Sequence, residues 1–170
     1  QVAVFSLLAT YLAYEIGKID DTRYNELVEG IMDLPERCQR AIDLNVKVKK
    51  LAKKYDCKDS LFFIGRHLDY ACCLEASLKL KEISYIHSEA YAAGELKHGT
   101  IALIDEDRLV IALACYNDLF DKLMGNIKEV KARGARVIGV AVEGNRKILA
   151  EADDSLFIPK TDRLLSVIPE

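Results

Sequence analysis

Residues 60–83, SLFFIGRHLDYACCLEASLKLKEI, decide the fold class. The run Ser60–Ile64 is largely apolar and is followed by Gly65, which is typical of a strand buried on both faces of a parallel sheet. From about Leu68 to Ile83, apolar residues recur with helical spacing and predict a helix. A buried strand followed directly by a helix is the beginning of a strand–helix–strand unit.

The same alternation continues toward the C-terminus. Strands are predicted at 108–115 (RLVIALAC), 136–142 (RVIGVAV) and 155–159 (SLFIP), with helices at 117–134 and 145–152 between them. Right-handed crossovers between such strands predict an α/β fold, in which helices cover both faces of a parallel sheet. Ligands of these sheets bind outside the carboxyl ends of the strands, so the loop Gly65–His67 lies at the expected binding edge.

The N-terminal part of the sequence is helical throughout. Helices are predicted at 2–16, 22–32, 36–42 and 44–55, with Gly17 ending the first, Asp20 and Asp21 capping the second, and Pro35 breaking the second from the third. The first helix is apolar on nearly every face, which predicts that it is buried. We therefore expect a helical lead-in over residues 1–43 and a sheet-containing domain over residues 44–170.

Ionisable side chains are concentrated in Lys79–Gly99, KLKEISYIHSEAYAAGELKHG. Burying unpaired charge is costly, so such a cluster indicates a functional site. The second part of this segment, around 91–99, contains alanine and glycine and is predicted to be irregular.

The spacing of Glu75, Lys79 and Glu82 places all three side chains on one face of the predicted helix. One interpretation is an exposed stripe of ion pairs, which stabilises a helix by about 0.2–0.5 kcal/mol per pair. Apolar residues flank the stripe on both sides, which favours a second interpretation: Glu82 is an acid/base beside the ammonium group of Lys79. Under this hypothesis we expect Glu82 to face a hollow at the carboxyl rim of the sheet.

His98 is the third candidate site residue. It precedes Gly99 in a predicted turn, and an imidazole there can titrate near neutral pH and transfer protons. A structural role for His98 is the alternative, and the sequence does not single out His67 or His87 over it.

Several classes of protein and site are not indicated. The sequence after the first strand, Gly65–His67, does not match GxGxxG, so no dinucleotide cofactor is expected, and no HExxH motif indicates a metal. The net charge of −3 without a basic block argues against nucleic-acid binding. The apolar N-terminal run is too short for a membrane span and lacks the basic flank of a signal peptide.

Five cysteines without a CxxC pair favour buried or half-buried free thiols in a reducing compartment. The cytoplasm is therefore the expected location.

The segment Leu74–Ile104, LEASLKLKEISYIHSEAYAAGELKHGTIALI, closely resembles the signature of the glutamine–fructose-6-phosphate aminotransferases. The resemblance extends to IGR at 64–66 and NIKEVKARGA at 126–135, and it covers nearly the whole chain. It implies the sugar isomerase (SIS) fold, a three-layer αβα sandwich. It further implies that residues 1–43 hold the last helix of a preceding SIS half with a linker, and that residues 44–170 are a C-terminally truncated SIS subdomain.

The resemblance also implies roles for the candidate residues. In this family the glutamate matching Glu82 moves a proton between C1 and C2 of the sugar, and the lysine matching Lys79 assists it. The histidine matching His98 opens the sugar ring and reaches in from the neighbouring subunit, which implies a homodimer. Fructose 6-phosphate, glucosamine 6-phosphate and glutamine are the expected small molecules, with no resident cofactor and no metal.

Some expected parts of the family have no match in this sequence. The phosphate-binding loop of the first SIS half and the C-terminal lysine that forms an imine with the sugar are both missing, and His67 replaces a usual glycine. We therefore expect the 170-residue chain alone to be inactive. Two alternatives stay open: a non-catalytic SIS module that binds a phosphosugar, and a related deglycase that acts on a different sugar amine.

Overall fold

The computed structural model describes residues 1–56 and 60–169. Its helices are α1 (Val2–Glu15), α2 (Asp21–Met32), α3 (Leu34–Ile42), α4 (Asn45–Tyr55), α5 (Leu68–Ser84) and α6 (Phe120–Lys131). Its strands are β1 (Ser60–Gly65), β2 (His87–Ala92), β3 (Leu109–Ala114), β4 (Arg136–Val142) and β5 (Asp154–Ile158). Short 3₁₀ helices lie at Leu96–His98, Thr100–Leu103, Asn117–Leu119 and Arg146–Ala150.

The described chain forms two compact units, one of residues 1–43 with the segment from Pro159 onward, and one of residues 44–158. The assignment of residues 1–43 and 44–170 to two SIS subdomains stays a prediction. The structure groups the C-terminal segment with the N-terminal helices, where Arg23 of α2 lies 2.7 Å from Asp162.

The unit of residues 44–158 is built on a parallel sheet with the strand order β2-β1-β3-β4-β5. One face packs against α6 through Phe120, Leu123 and Ile127, all buried. The other face packs against Leu51 of α4 and Cys73 of α5. Because helices cover both faces, the predicted three-layer α/β architecture is confirmed.

The strand β2 was not predicted from the sequence. Its residues, HSEAYA, include charged side chains, and it lies at the edge of the sheet beside β1. Ser88 in this strand is fully buried and its hydroxyl group exchanges hydrogen bonds with Ser77 of α5. An edge strand with one partner tolerates polar side chains that a central strand excludes, so no continuous apolar run marks it.

Two helix predictions need correction. The helix predicted at 145–152 is a 3₁₀ helix of five residues, and the one predicted at 117–134 is divided into a 3₁₀ turn and α6. The expected burial of α1 is also wrong: Phe5 is 67% exposed, and Thr10 is the buried residue of this helix. Contact with α2 covers only one side of α1, and the apolar residues on its other sides remain exposed. An apolar sequence alone therefore does not ensure that a helix is buried.

Glycine is required at the end of β1. A Cβ atom on Gly65 would lie 2.6 Å from the backbone carbonyl carbon of Asp69, well inside van der Waals contact. The absence of a side chain therefore allows the first turn of α5 to pack directly against the strand that precedes it.

Asp153 stabilises the start of β4 through a hydrogen bond to its backbone. Its carboxylate accepts hydrogen bonds from the backbone N–H of Val137, at 2.7 Å, and from Lys131 Nζ, at 2.5 Å. Burial raises the pKa of Asp153, but these two hydrogen bonds outweigh it and the net pKa is lowered from 3.8. A carboxyl group with a lowered pKa in the folded protein stabilises the fold above its unfolded pKa, and this contribution is lost as the pH falls through the folded pKa.

We predict that Asp153→Asn lowers the free energy of unfolding by about 1 kcal/mol at pH 7, because the amide keeps an acceptor for Val137 but loses the ion pair. The difference from the parent chain should begin to shrink below the ordinary pKa of 3.8 and be lost as the pH falls through the lowered pKa of the folded protein, where the native Asp153 becomes protonated. Urea denaturation at pH 7 and pH 3 measures this. Asp121→Asn is the control, because that carboxylate is 84% exposed and its replacement should change the free energy of unfolding little. An equal loss of stability in Asp153→Asn at pH 7 and pH 3 would contradict the prediction.

Candidate functional site

Glu82 and Lys79 form an ion pair on the surface of α5. Lys79 Nζ lies 2.8 Å from Glu82 Oε2 and 3.7 Å from Glu75 Oε1, so the three side chains share one helix face as their spacing predicted. The hydrogen bond to Glu82, with the negative charge of that carboxylate, raises the pKa of Lys79. Both Lys79 and Glu82 are about half exposed, which leaves the carboxylate accessible to a ligand.

The expected position of Glu82 at the carboxyl rim of the sheet is wrong. The helix α5 begins just after the carboxyl end of β1 and runs back along the sheet, as a crossover between parallel strands must. Glu82 lies in its last turn, about 21 Å further along the helix than Leu68 at 1.5 Å per residue. It is therefore located near the amino end of β2, at the opposite edge of the sheet.

His98 is located at the carboxyl edge of the same sheet. The strand β2 ends at Ala92, opposite Gly65, and the backbone N–H of Ala93 donates to the Gly65 carbonyl at 2.9 Å. The chain then turns into the 3₁₀ helix Leu96–His98, in which Leu96 is fully buried and His98 is exposed. The buried leucine holds this loop against the core, while the imidazole remains accessible.

The structure thus brings Glu82 and Lys79 together and separates both from His98. The six residues of β2 lie between the two locations, which corresponds to about 17 Å along the strand. General acid/base groups must come within about 3 Å of the atoms they serve. One chain therefore does not bring Glu82 and His98 to the same sugar, and a site that uses both needs two copies of the chain.

The surface around the Lys79–Glu82 pair is also incomplete within one chain. Leu74 and Leu78 of the same helix are 48% and 43% exposed, and Ile83 is 78% exposed. An apolar hollow of about 370 Å³ lies nearby between α4 and α5, but Leu80 lines it and the catalytic candidates do not. Exposed apolar side chains beside a charged pair are typical of a surface that another domain covers.

Sequence reasoning missed Asp69 at the carboxyl edge. Its side chain is 1% exposed, and its Oδ2 accepts hydrogen bonds from the backbone N–H groups of Cys115 and Tyr116 at 2.9 and 3.0 Å. These bonds tie the start of α5 to the end of β3, and the ring of His67 stacks on Tyr116 with 4.7 Å between the centroids. A single aspartate in the first turn of a helix carries no motif, so only its burial reveals the role.

Across residues 1–56 and 60–169, no group of three or more His, Cys, Asp or Glu side chains is arranged to hold a metal ion. Within the same ranges, no helix combines the length and the apolar character needed to cross a bilayer. Cys73 and Cys115 are buried, Cys38 and Cys72 are half-buried, and Cys57 lies outside the described residues.

Similar sequences point to one group of proteins. The chain is 50% identical, over 99% of its length, to a glutamine–fructose-6-phosphate aminotransferase (isomerizing) of Clostridium tetani, and 48% identical over 98% to that of Symbiobacterium thermophilum. It spans 28% and 27% of the lengths of these two relatives.

A solved structure gives the same result. The C-terminal domain of glucosamine-fructose-6-phosphate aminotransferase from Francisella tularensis superposes with a TM-score of 0.86 at 28% identity, over 95% of this chain and 47% of that one. The SIS domain model matches residues 54–163, which is well over half of the sequence. The chain therefore belongs to the SIS domain family, and it resembles the SIS region of the glutamine–fructose-6-phosphate aminotransferases.

Proposed function

We propose that this chain works as an isomerase region within a longer protein that makes glucosamine 6-phosphate from fructose 6-phosphate and glutamine. The sequence similarity to aminotransferases of this name, over nearly all of the chain, supports the reaction class. In this proposal Glu82 moves a proton between C1 and C2 of the sugar, Lys79 assists, and His98 opens the sugar ring.

The observation that carries the proposal is the accessible Lys79–Glu82 pair on α5. Aldose–ketose isomerisation requires one base that reaches two neighbouring carbons, and the carboxylate of a half-exposed glutamate has that reach. Lys79 carries a charged ammonium group at neutral pH, and its hydrogen bond to Glu82 raises its pKa further. A fixed positive charge there would stabilise the negative charge that develops on the sugar oxygens when the proton leaves carbon.

The separation of Glu82 from His98 supports a homodimer with a shared site. Within one chain these groups lie at opposite edges of the sheet, so His98 of one copy would serve the sugar that Glu82 of the other copy isomerises. The exposed apolar residues Leu74 and Leu78 beside Lys79 give a covering domain a surface to pack against. All proposed steps use protein acid and base groups and a sugar phosphate, and we place the protein in the cytoplasm.

The proposal is tested by incubating the longer protein, and separately the 170-residue chain, with fructose 6-phosphate and glutamine in deuterium oxide. We expect the longer protein to form glucosamine 6-phosphate and to exchange deuterium into the sugar at C1 or C2, as seen by NMR. We expect neither from the chain alone, which spans about a quarter of its relatives.

Two outcomes would replace the proposal with an alternative function. Binding of fructose 6-phosphate by the longer protein without exchange or product would indicate a phosphosugar-binding module. Breakdown of a different sugar amine, without synthesis of glucosamine 6-phosphate, would indicate a deglycase. Reactions lacking glutamine are the control for the origin of the amino group.

A further inference from the structure

Two sequence segments that carried the resemblance, residues 64–66 and 126–135, have no part in the proposed chemistry. The structure joins them through Arg66, which follows β1, and Asn126, which lies in α6. Arg66 Nε and Nη2 both donate to Asn126 Oδ1, at 3.1 and 2.8 Å. The Asn126 side chain is in turn fixed, because its Nδ2 donates to Glu129 Oε2 at 2.9 Å.

Asn126 determines the direction of the arginine side chain. It is only 4% exposed, so its amide is held by packing as well as by hydrogen bonds. The guanidinium group is planar and carries its donors in a rigid fork. Two donors that converge on one buried acceptor therefore fix the plane of the guanidinium group, and the single ammonium group of a lysine would not do so.

The fixed guanidinium group lies against the backbone at Gly94. A Cβ atom at this glycine would be 3.1 Å from both Nη1 and Nη2 of Arg66, so a side chain at this position would crowd the guanidinium group. The next residue after Gly94, Glu95, accepts a hydrogen bond at its carbonyl group from the backbone N–H of His98, at 3.0 Å. Arg66 thus contacts the loop that carries His98 at the point where that loop leaves the sheet.

We propose that Arg66 is a positioning residue for His98: its guanidinium group, oriented by Asn126, supports the backbone at Gly94 and fixes the loop 94–98 that presents the imidazole. The importance of this role for catalysis rests on the proposed function. Three segments far apart in the sequence, 64–66, 94–98 and 126–129, would then act together at one edge of the sheet.

The test measures the order of the loop in the 170-residue chain by amide hydrogen exchange and NMR. In Arg66→Ala we expect exchange at the Glu95 and His98 amides to accelerate at least tenfold, while amides of β4 change less than twofold. We expect the imidazole signal of His98 to broaden or divide in this variant. Arg66→Lys should show the same local effect, because it keeps the charge and loses the fork.

The control is Arg146→Ala, which removes an exposed arginine that follows β4 at the same edge of the sheet. We expect it to leave the loop signals unchanged. If Arg66→Ala does not fold, Gly94→Ala gives the test from the loop side, because its methyl group would crowd the guanidinium group, strain its contact with the loop and accelerate the same amides.

Unchanged loop exchange in Arg66→Ala or Gly94→Ala would overturn the proposal, and so would an equal acceleration at β4, which indicates general destabilisation. No sugar is present in this experiment. Its failure would therefore leave the proposed isomerisation intact, and failure of the sugar assay would leave the structural role of Arg66 intact.

Discussion

Replacing Glu82 by glutamine in the longer protein is expected to slow proton transfer between C1 and C2 by about 10³-fold, within the range that a general acid/base contributes. Glutamine has nearly the same shape and keeps an oxygen that can accept the hydrogen bond from Lys79. It loses the ability to accept a proton. Because Glu82 is half exposed on α5, the substitution should leave the fold unchanged. The measurement is incorporation of deuterium at C1 of the sugar phosphate.

Glu26→Gln is a matched control for this variant. Glu26 is an exposed glutamate on α2 that pairs with Arg23 at 3.0 Å with the same i, i+3 spacing. It should retain the parent rate within about twofold, because exposed ion pairs contribute little to stability. A Glu82→Gln enzyme that exchanges deuterium at the parent rate would show that another group moves the proton.

The second large effect is expected at His98. His98→Ala in the longer protein should lower turnover of fructose 6-phosphate by about 10²-fold or more, because ring opening loses its acid/base group. A ketose phosphate that lacks the ring-forming hydroxyl group should be affected much less, since it needs no ring opening. Comparing turnover of the two substrates separates this role from simple loss of binding.

His87→Ala is the control for the histidine variant. The side chain of His87 is 61% exposed at the start of β2, near Glu82, so any effect of its removal should be equal for the two substrates. Equal losses of turnover for the cyclic and the acyclic substrate in His98→Ala would contradict a role in ring opening.

The central strands and the edge strand β5 were predictable from the sequence, but the edge strand β2 was not. The strands β1, β3 and β4 are buried on both faces, and their continuous apolar runs allowed correct prediction. The residues of β2 lack such a run. Its sequence, HSEAYA, also lacks the alternation of polar and apolar residues that marks a half-buried strand, so no local pattern identifies it.

The roles of the candidate residues stay a prediction, and their arrangement was only partly predictable from the sequence. Helical spacing placed Lys79 beside Glu82, and the structure has the pair at 2.8 Å. Glu82 was expected at the carboxyl rim because the direction of α5 was not considered. Since β1 and β2 are parallel, α5 must run back to the amino edge of the sheet before β2 begins, and Glu82 lies in its last turn. The contact between Arg66 and Asn126 joins residues 60 positions apart, and no local pattern in the sequence reports such a pairing.

Subunit mixing tests most directly whether Glu82 and His98 act on one sugar from two different copies. Dimers of Glu82→Gln and dimers of His98→Ala should each be inactive on fructose 6-phosphate. Random mixing of the two would give half of the dimers one copy of each variant, and each such dimer would have one site with both native residues. We predict recovery of about one quarter of the parent activity. A mixture that exchanges subunits and stays inactive would contradict the shared site.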